Sequence, residues 1–297
     1  MNFTHAANHQ VIFFPDEVQT LFPGQPYLYR ISYQDWTNGY QQIMHSHADL
    51  TEILLLLAGS GCYSIGAQRY PVQAGDVILC NGGTVHDEFP NTRETYQTLC
   101  LGIKNLCLPD LPPNHIIAHN KTPIFHHPAQ FDDLSALLQI MMRQAQAQAP
   151  SYLSICQQLM QCVLELTAQM IAAQSADIDP QQNQLCAQVE AYIYQHYSED
   201  LTIEQLGKLF FVSPYHLAHV FKQHTGYTLK QYILRRRIGE AQDRLSYSSD
   251  SITQIARDVG FADSAYFSRI FTKYVGMSPK YYREYRTKSE DSQESLS

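Results

Sequence analysis

A short pattern occurs twice between Leu201 and Arg283, and it restricts what the C-terminal third of this chain can become. The first copy reads Phe221-Lys222-Gln223-His224-Thr225-Gly226-Tyr227-Thr228, the second Phe271-Thr272-Lys273-Tyr274-Val275-Gly276-Met277-Ser278. The two Phe, the two Gly and the Thr228/Ser278 pair are each fifty positions apart, and Leu217 matches Phe267 at the same offset. Leu206 matches Ile255 at forty-nine, so one copy carries an extra residue in its turn. A repeat of this length implies two copies of one supersecondary unit.

Each copy predicts two helices joined by a tight turn. In the first, Thr202 caps a helix to Phe210 with Ile203, Leu206 and either Leu209 or Phe210 inward, and Phe211-Val212 turns the chain. Ser213 caps the next helix with Pro214 at its first position, and Gly226 stops it. In the second, Ser251 and Asp263 are the caps, Gly260-Phe261 is the turn, and Phe267, Ile270 and Phe271 face inward. The second helix of each unit exposes polar and cationic residues, as a helix that enters a DNA major groove does. Between the copies, Leu229 to Leu245 reads as one long helix that holds the units at fixed separation.

The net charge of −8 hides a division. Residues 1–180 hold 6 Lys+Arg against 15 Asp+Glu, whereas residues 181–288 hold 14 against 10. Positive charge is therefore concentrated on the repeat, either as a solvated helical surface or as a face for nucleic acid. Seven Cys without a C-x-x-C pair read as reduced intracellular thiols. With neither a signal-peptide order at the N-terminus nor an apolar run long enough to span a bilayer, the expected location is the cytoplasm and no membrane contact is expected.

Upstream, residues 1–28 read as an arm or edge strand. Tyr29 to about Gly102 is a series of short apolar segments punctuated by Gly, Asn and Pro, which argues for a β-barrel or sandwich. After Pro128, Leu134, Leu137, Leu138 and Met141, then Leu159, Val163, Leu166 and Met170, recur at helical steps and predict two helices broken near Pro150. Their apolar faces are expected to form a dimer seam within 129–173 in preference to packing on the barrel. Ser175 to Gln184 reads as a linker and Ser289 to Ser297 as a disordered tail.

Within the strand region, Gly39, His45, His47, Glu52 and Gly59 are spaced G-x5-H-x-H-x4-E-x6-G, and Gly75, Gly83 and His86 as G-x7-G-x2-H. Alternate strand positions share a face, so His45 and His47 can both point inward. Imidazoles with a carboxylate suit Zn, Fe, Ni or Mn; the same groups can instead hydrogen-bond a polar ligand or one another. These spacings resemble both motifs of the cupin barrel, departing where Asn81 and Pro90 replace the usual Pro and Asn. The resemblance implies a ligand cavity and, as an option, a divalent metal on His45, His47, Glu52 and His86, with no cofactor required. Trp36, Tyr29, Tyr33 and Tyr40 are candidate sugar-binding walls, and Arg30 a clamp for an oxygen-rich ligand or, by preference, a partner in a surface salt bridge.

The repeat resembles the DNA-binding domain of the AraC/XylS family of bacterial regulators. Ile255-Ala256-x-x-Val259-Gly260-Phe261-x-Asp263, Tyr266-Phe267-Ser268-Arg269-x-Phe271 and Gly276-x-Ser278-Pro279-x-x-Tyr282-Arg283 carry the match. The first copy departs at Gly207, where Ala is usual, and at Phe211, where Gly is frequent. This resemblance implies an α+β chain: a cupin-like effector-binding and dimerisation domain over 1–175 with two flanking helices, then an all-α double helix-turn-helix domain over 185–288. It implies base-reading by Tyr215, Ala218, His219, Ser264, Ala265, Ser268 and Arg269, and phosphate contacts by Lys222, Arg237 and Lys273. Arg269 is the strongest base-reading candidate, since Arg pairs bidentately with guanine; Arg235 and Arg236 are expected to be solvated. The expected partners are double-stranded DNA, a small-molecule effector (a sugar, held by Arg30, Trp36, His45, His47, Glu52 and His86), a second copy of the chain, and RNA polymerase. The competing reading is a metal-dependent cupin enzyme fused to a DNA-binding domain, in which the repeat has no role in catalysis.

Overall fold

Polar and apolar residues alternate through Tyr27–Asp35, and that alternation sorts the N-terminal half into an inside and an outside. The computed structural model describes residues 9–284 apart from 16, 36–42, 67, 92 and 175–183. Trp36, Tyr40, the linker expected at 175–184 up to residue 183 and the tail at 289–297 lie outside the described residues.

Among the described residues the chain runs β1 (His9–Phe13), α1 (Glu17–Leu21), β2 (Tyr27–Asp35), β3 (Leu50–Ala58), β4 (Ser60–Ile65), β5 (Gln68–Gln73), β6 (Val77–Cys80), β7 (His86–Pro90), β8 (Gln97–Lys104) and β9 (Ile124–Phe125). One sheet has the order β1-β2-β8-β3-β6-β9 and a second the order β5-β4-β7. They pack as a cupin-like pair, and the segment leading into β3 meets β7 of the smaller sheet through an isolated bridge, His45 to His86.

In β2, Arg30, Ser32 and Gln34 point between the sheets, while Ile31 and Tyr33 point out. The outward residues of β2, β3 and β8 (Ile31, Ile53, Leu55, Leu99, Leu101) are covered by α2 (Phe131–Ala147) and α3 (Tyr152–Ala172). Left-handed Gln148 and Ser151 turn the chain between these helices, on either side of Pro150. The residues expected at a dimer seam are thereby largely used internally. Leu134, Leu138, Met141 and Val163 are fully buried against the sheet and against each other, and Met170 nearly so. At roughly 1.5–3 kcal/mol for each buried side chain of this size, covering the sheet outweighs leaving the stripe free.

The C-terminal part is helical: α4 (Gln184–His196), α5 (Ile203–Leu209), α6 (Pro214–Thr225), α7 (Leu229–Tyr247), α8 (Ile252–Asp258) and α9 (Ser264–Val275). Side-chain caps define the starts. Thr202 and Thr228 form reciprocal capping boxes with Gln205 and Gln231, and Ser213, Ser251 and Asp263 each accept from a backbone N–H three residues on. Gly226 and Gly276 end α6 and α9 at φ +75 and +86, a conformation glycine adopts without a Cβ penalty.

The two units solve the same turn differently. Gly260 takes φ +92 in the second, but Phe211 takes φ +57 in the first and is 95% exposed. Gly207 then occupies the position of Ala256. A Cβ there would lie 2.8 Å from the Val212 carbonyl oxygen, which the turn brings in close. The departures at Gly207 and Phe211 are thus two halves of one tighter, strained turn.

Candidate functional site

Two regions carry functional chemistry: the space between the sheets and the outer faces of α6 and α9. Between the sheets, Glu52 of β3 sits at the centre of a buried cluster. One oxygen takes the Arg30 guanidinium and the other lies 2.9 Å from His86 Nε2. His86 Nδ1 meets the Thr84 carbonyl at 3.0 Å and His45 Nδ1 the Ile43 carbonyl at 3.2 Å. Burial drives the His45 imidazole well below its ordinary pKa and takes His47 down to about 4. Burial also opposes charge on His86 and Glu52, yet their partners win: Glu52 raises His86, and Arg30 followed by His86 holds Glu52 well below its usual range.

The side-chain donors of His45, His47 and Glu52 lie within 4.8 Å of one another, so these three approach a metal-ligand set. They do not fit one well. Both Glu52 oxygens are already engaged, one by a buried guanidinium whose positive charge opposes a divalent ion, and His86 Nε2 is turned to Glu52. Arg30, Glu52 and His86 form a buried, mutually paired cluster beside His45 and His47, and a divalent metal, given as an option on the four, would compete with those pairs. Arg30 does form a salt bridge, but a buried one on Glu52 in place of the surface pair expected, and that engagement leaves its role as a ligand clamp unsupported.

The polar groups left over lie elsewhere on the inner surface. Gln34 is directly across from Thr98, and Ser32 from Cys100, in the β2–β8 register. Ser32 Oγ, Gln34 Oε1, Thr98 Oγ1 and His47 Nε2 are buried with no hydrogen-bond partner among the described residues. Glu88 points inward beside Tyr96, and burial raises its pKa to about 8. The sequence carries a signal for the first of these: Arg30-x-Ser32-x-Gln34 is a polar run of period two inside an apolar strand.

β7 has two working faces. His86 and Glu88 face inward, so Asp87 and Phe89 face out, against α7. Asp87 is 1% exposed and accepts from Arg235 Nε at 2.7 Å, with Nη2 of the same guanidinium at an ion-pair distance of 2.7 Å. The Arg69 guanidinium lies 4.5 and 4.4 Å from the Phe89 and Tyr227 ring centres, and that of Arg235 lies 5.0 and 5.1 Å from the same rings. Nearby, Gln242 accepts from the Ile43 N–H at 2.9 Å, and Ser46 donates to the Tyr194 hydroxyl at 2.7 Å. Gly239 of α7 packs directly on the Ile43–Met44 backbone. The rim that carries the histidine cluster is therefore also the rim that grips the long helix between the two repeat units.

Three arginines change role. Arg235 and Arg236, expected in solvent, are 7% and 5% exposed; Arg236 pairs with Glu240 at 3.1 Å and stacks on Tyr194 and Tyr197. Arg237, expected on a phosphate, donates to the backbone carbonyls of Tyr197 (2.6 Å), Glu199 (2.7 Å) and Gly260 (2.7 Å). It clamps the end of α4 to the second turn. Consecutive helix positions point about 100° apart, so a triple-Arg run cannot serve a single face.

On the outer faces, Tyr215 is 85% exposed, His219 and Lys222 are exposed, and Ala218 is half-buried, all on α6. On α9, Ser264, Ala265, Arg269 and Lys273 are exposed and Ser268 half-buried, its hydroxyl donating to the Ser264 carbonyl at 2.9 Å. The Arg269 guanidinium lies 5.3 Å from the Tyr266 ring centre. Two capped helices thus each present a polar face at the ends of one rigid connector, the arrangement that places paired helices in successive major-groove segments about 34 Å apart.

Comparison with known proteins agrees with this division. A helix-turn-helix domain profile matches residues 206–285 and a cupin domain profile matches residues 34–101. A relative from Enterobacter sp. (strain 638), the HTH-type transcriptional activator RhaS, is 26% identical over 82% of this chain and 88% of its own length. The protein of the same name from Escherichia fergusonii is 29% identical, again over 82% and 88%. Among solved structures, the C-terminal domain of AraT, a response regulator from Geobacillus stearothermophilus, is 32% identical over 36% of this chain and 88% of that one, with a TM-score of 0.35. Among the described residues no helix is long and apolar enough to cross a membrane.

Proposed function

The chain belongs to the AraC/XylS family of DNA-binding transcription regulators, and on that premise we propose that a small neutral polyol, a sugar by its chemistry, binds between the sheets and sets how the paired helix-turn-helix units engage DNA. The observation that carries this reading is β7, whose inner residues face the space between the sheets while Asp87 and Phe89 hold α7. A ligand regulates only by favouring one arrangement over another. Here a ligand that displaces β7 by a fraction of an ångström acts directly on a buried ion pair.

The ligand class follows from the inner wall. Ser32, Gln34 and Thr98 offer hydroxyl and amide oxygens without net charge, and the cluster around Glu52 is already neutralised, which suits a ligand rich in hydroxyls and poor in charge. A thermal-shift screen of neutral sugars on the full chain tests it. A hit raises the melting temperature by mass action, and Gln34→Leu with Thr98→Val removes the shift. If only charged metabolites stabilise the chain, the sugar assignment is wrong.

DNA contact runs through Tyr215, Ala218, His219 and Lys222 on α6 and Ser264, Ala265, Ser268, Arg269 and Lys273 on α9. Dimerisation uses the outer stripe of α3, where Ile155 is 38% exposed and Cys162 is exposed at its centre, flanked by half-buried Leu159 and Leu166. Two copies related by a twofold axis at this stripe bring their Cys162 thiols together. Mild oxidation then yields a crosslinked dimer that Ile155→Glu abolishes; a monomer at micromolar concentration removes the seam. For a chain that acts as an activator, RNA polymerase is the downstream partner.

A further inference from the structure

The turn of the first helix-turn-helix unit carries a side chain that packing inside the protein leaves without a role. Phe211 is 95% exposed at φ +57. It joins neither hydrophobic cluster and makes no ring contact among the described residues. Left-handed backbone is costly for any residue with a Cβ, and such strain persists where function retains it. The matching turn of the second unit shows what packing alone asks for. A Cβ on Gly260 would lie 2.5 Å from the Ser198 carbonyl oxygen and 2.9 Å from the Arg237 guanidinium carbon, so that turn is closed against the protein and takes glycine. The turn at Phe211 is open. Glycine there would relieve the strain, yet the chain holds an aromatic ring out to solvent instead.

The neighbours of the ring say what it meets. Ser213 caps α6 two residues later, and Tyr215, 85% exposed, lies in the first turn of that helix. Reading helices present their N-terminal residues to base edges in the major groove, so Phe211 lies at the end of α6 that leads into the groove and continues the face begun by Tyr215. The exposed large apolar side chains of this unit are Leu209, Phe211 and Tyr215, far fewer than the roughly 20–30 residues a protein partner covers. Lys208 and Lys222 on the same two helices are exposed as well, and exposed cations suit a polyanion. The apolar feature of a major-groove wall is the thymine C5 methyl. We propose that Phe211 is a further specificity-determining residue, whose ring packs on a thymine methyl at the edge of the segment read by α6. This rests on α6 as a reading helix and extends its reading edge four residues ahead of Tyr215. The first unit then selects thymine by apolar contact, where the second has Arg269 for guanine.

The test uses duplexes that the full chain selects from a random library, in which each recurrent thymine is replaced in turn by deoxyuridine. That exchange removes the methyl alone, and at one position it should weaken the wild type about fourfold. Phe211→Gly should bind the thymine duplex on the order of tenfold more weakly, as uncovering an aromatic side chain does, and should bind the thymine and deoxyuridine duplexes equally. Phe211→Leu keeps an apolar side chain on the same backbone and should retain part of the preference for thymine. Because Phe211→Gly relieves strain, its denaturation midpoint should rise while its DNA affinity falls, a pairing that a purely structural role does not produce. Tyr215→Ala, measured in parallel, checks the premise and should also weaken binding. Three results overturn the proposal. One is a wild type that binds every deoxyuridine duplex as well as its thymine parent. Another is Phe211→Gly with undiminished affinity beside a weakened Tyr215→Ala, which leaves the ring to a protein partner. The third is undiminished affinity in both variants, which takes α6 itself off the bases.

Discussion

Replacing Gly239 by alanine separates what α7 does as a helix from what it does as a docking surface. Within a helix interior, Gly→Ala is favourable by about 1 kcal/mol. Here the added Cβ would overlap the Met44 carbonyl oxygen and sit 2.9 Å from its carbon and 3.0 Å from the Ile43 oxygen, where ordinary contact begins at 3.4 Å. Neither neighbour is the flexible end of a side chain, so α7 and the barrel rim must separate by at least about 1 Å to relieve the overlap with the Met44 oxygen, and packed interiors transmit such shifts without absorbing them. Overpacking of this kind costs typically 1–3 kcal/mol, enough to cancel the gain in helix propensity. The 2.7 Å contacts between Arg235 and Asp87 and the Gln242–Ile43 hydrogen bond lie beside the overlap. Hydrogen exchange reads the outcome directly. The Ile43 amide should lose protection while amides in the middle of α7 keep theirs, and affinity for duplex DNA should change with them. Unaltered protection at Ile43 together with unaltered DNA affinity would refute the docking argument.

Three further outcomes follow from single residues. Arg269→Ala should weaken binding to a specific operator by about 1–3 kcal/mol and relax preference at one base pair, seen by footprinting; an unchanged footprint removes Arg269 from base readout. Burial raises the Glu190 carboxyl in α4 from 4.5 to about 8, so the folded state holds a proton that the unfolded state has released. Its contribution is therefore fullest below about pH 4.5 and is lost as pH rises towards 8. Glu190→Gln should leave the melting temperature near pH 5 almost unchanged and raise it at pH 9; equal shifts at both values would contradict the assignment. Phe211→Gly should stabilise the chain by about 1 kcal/mol by relieving the left-handed backbone, measured by chemical denaturation, since an aromatic ring 95% exposed gives up little by leaving.

Local signals were readable where local physics decides the outcome. Ser213-Pro214, Asp263, Gly226 and Gly276 cap α6 and α9 where the sequence places them, because a cap depends on residues within four positions. The strand region was legible as strands, and His45, His47, Glu52 and His86 do converge. What the sequence does not carry is which polar groups consume one another. Arg30 and Glu52 are twenty-two positions apart, Asp87 and Arg235 one hundred and forty-eight, and only the fold brings them together. The same limit explains Arg235 and Arg236: a basic run reads as solvated until the surface it lies against is known. It explains α2 and α3 as well, since an apolar stripe gives no sign whether a sheet or a second copy covers it.

We propose that occupancy of the space between the sheets reaches DNA through β7 and the Asp87–Arg235 pair. The direct measurement is duplex affinity of the full chain with and without a sugar that raises its melting temperature, in the wild type and in Asp87→Asn. The sugar should change DNA affinity in the wild type, with a coupling of about 1–3 kcal/mol, and Asp87→Asn should still bind the sugar while the coupling falls to near zero. A coupling of undiminished size in Asp87→Asn would contradict it.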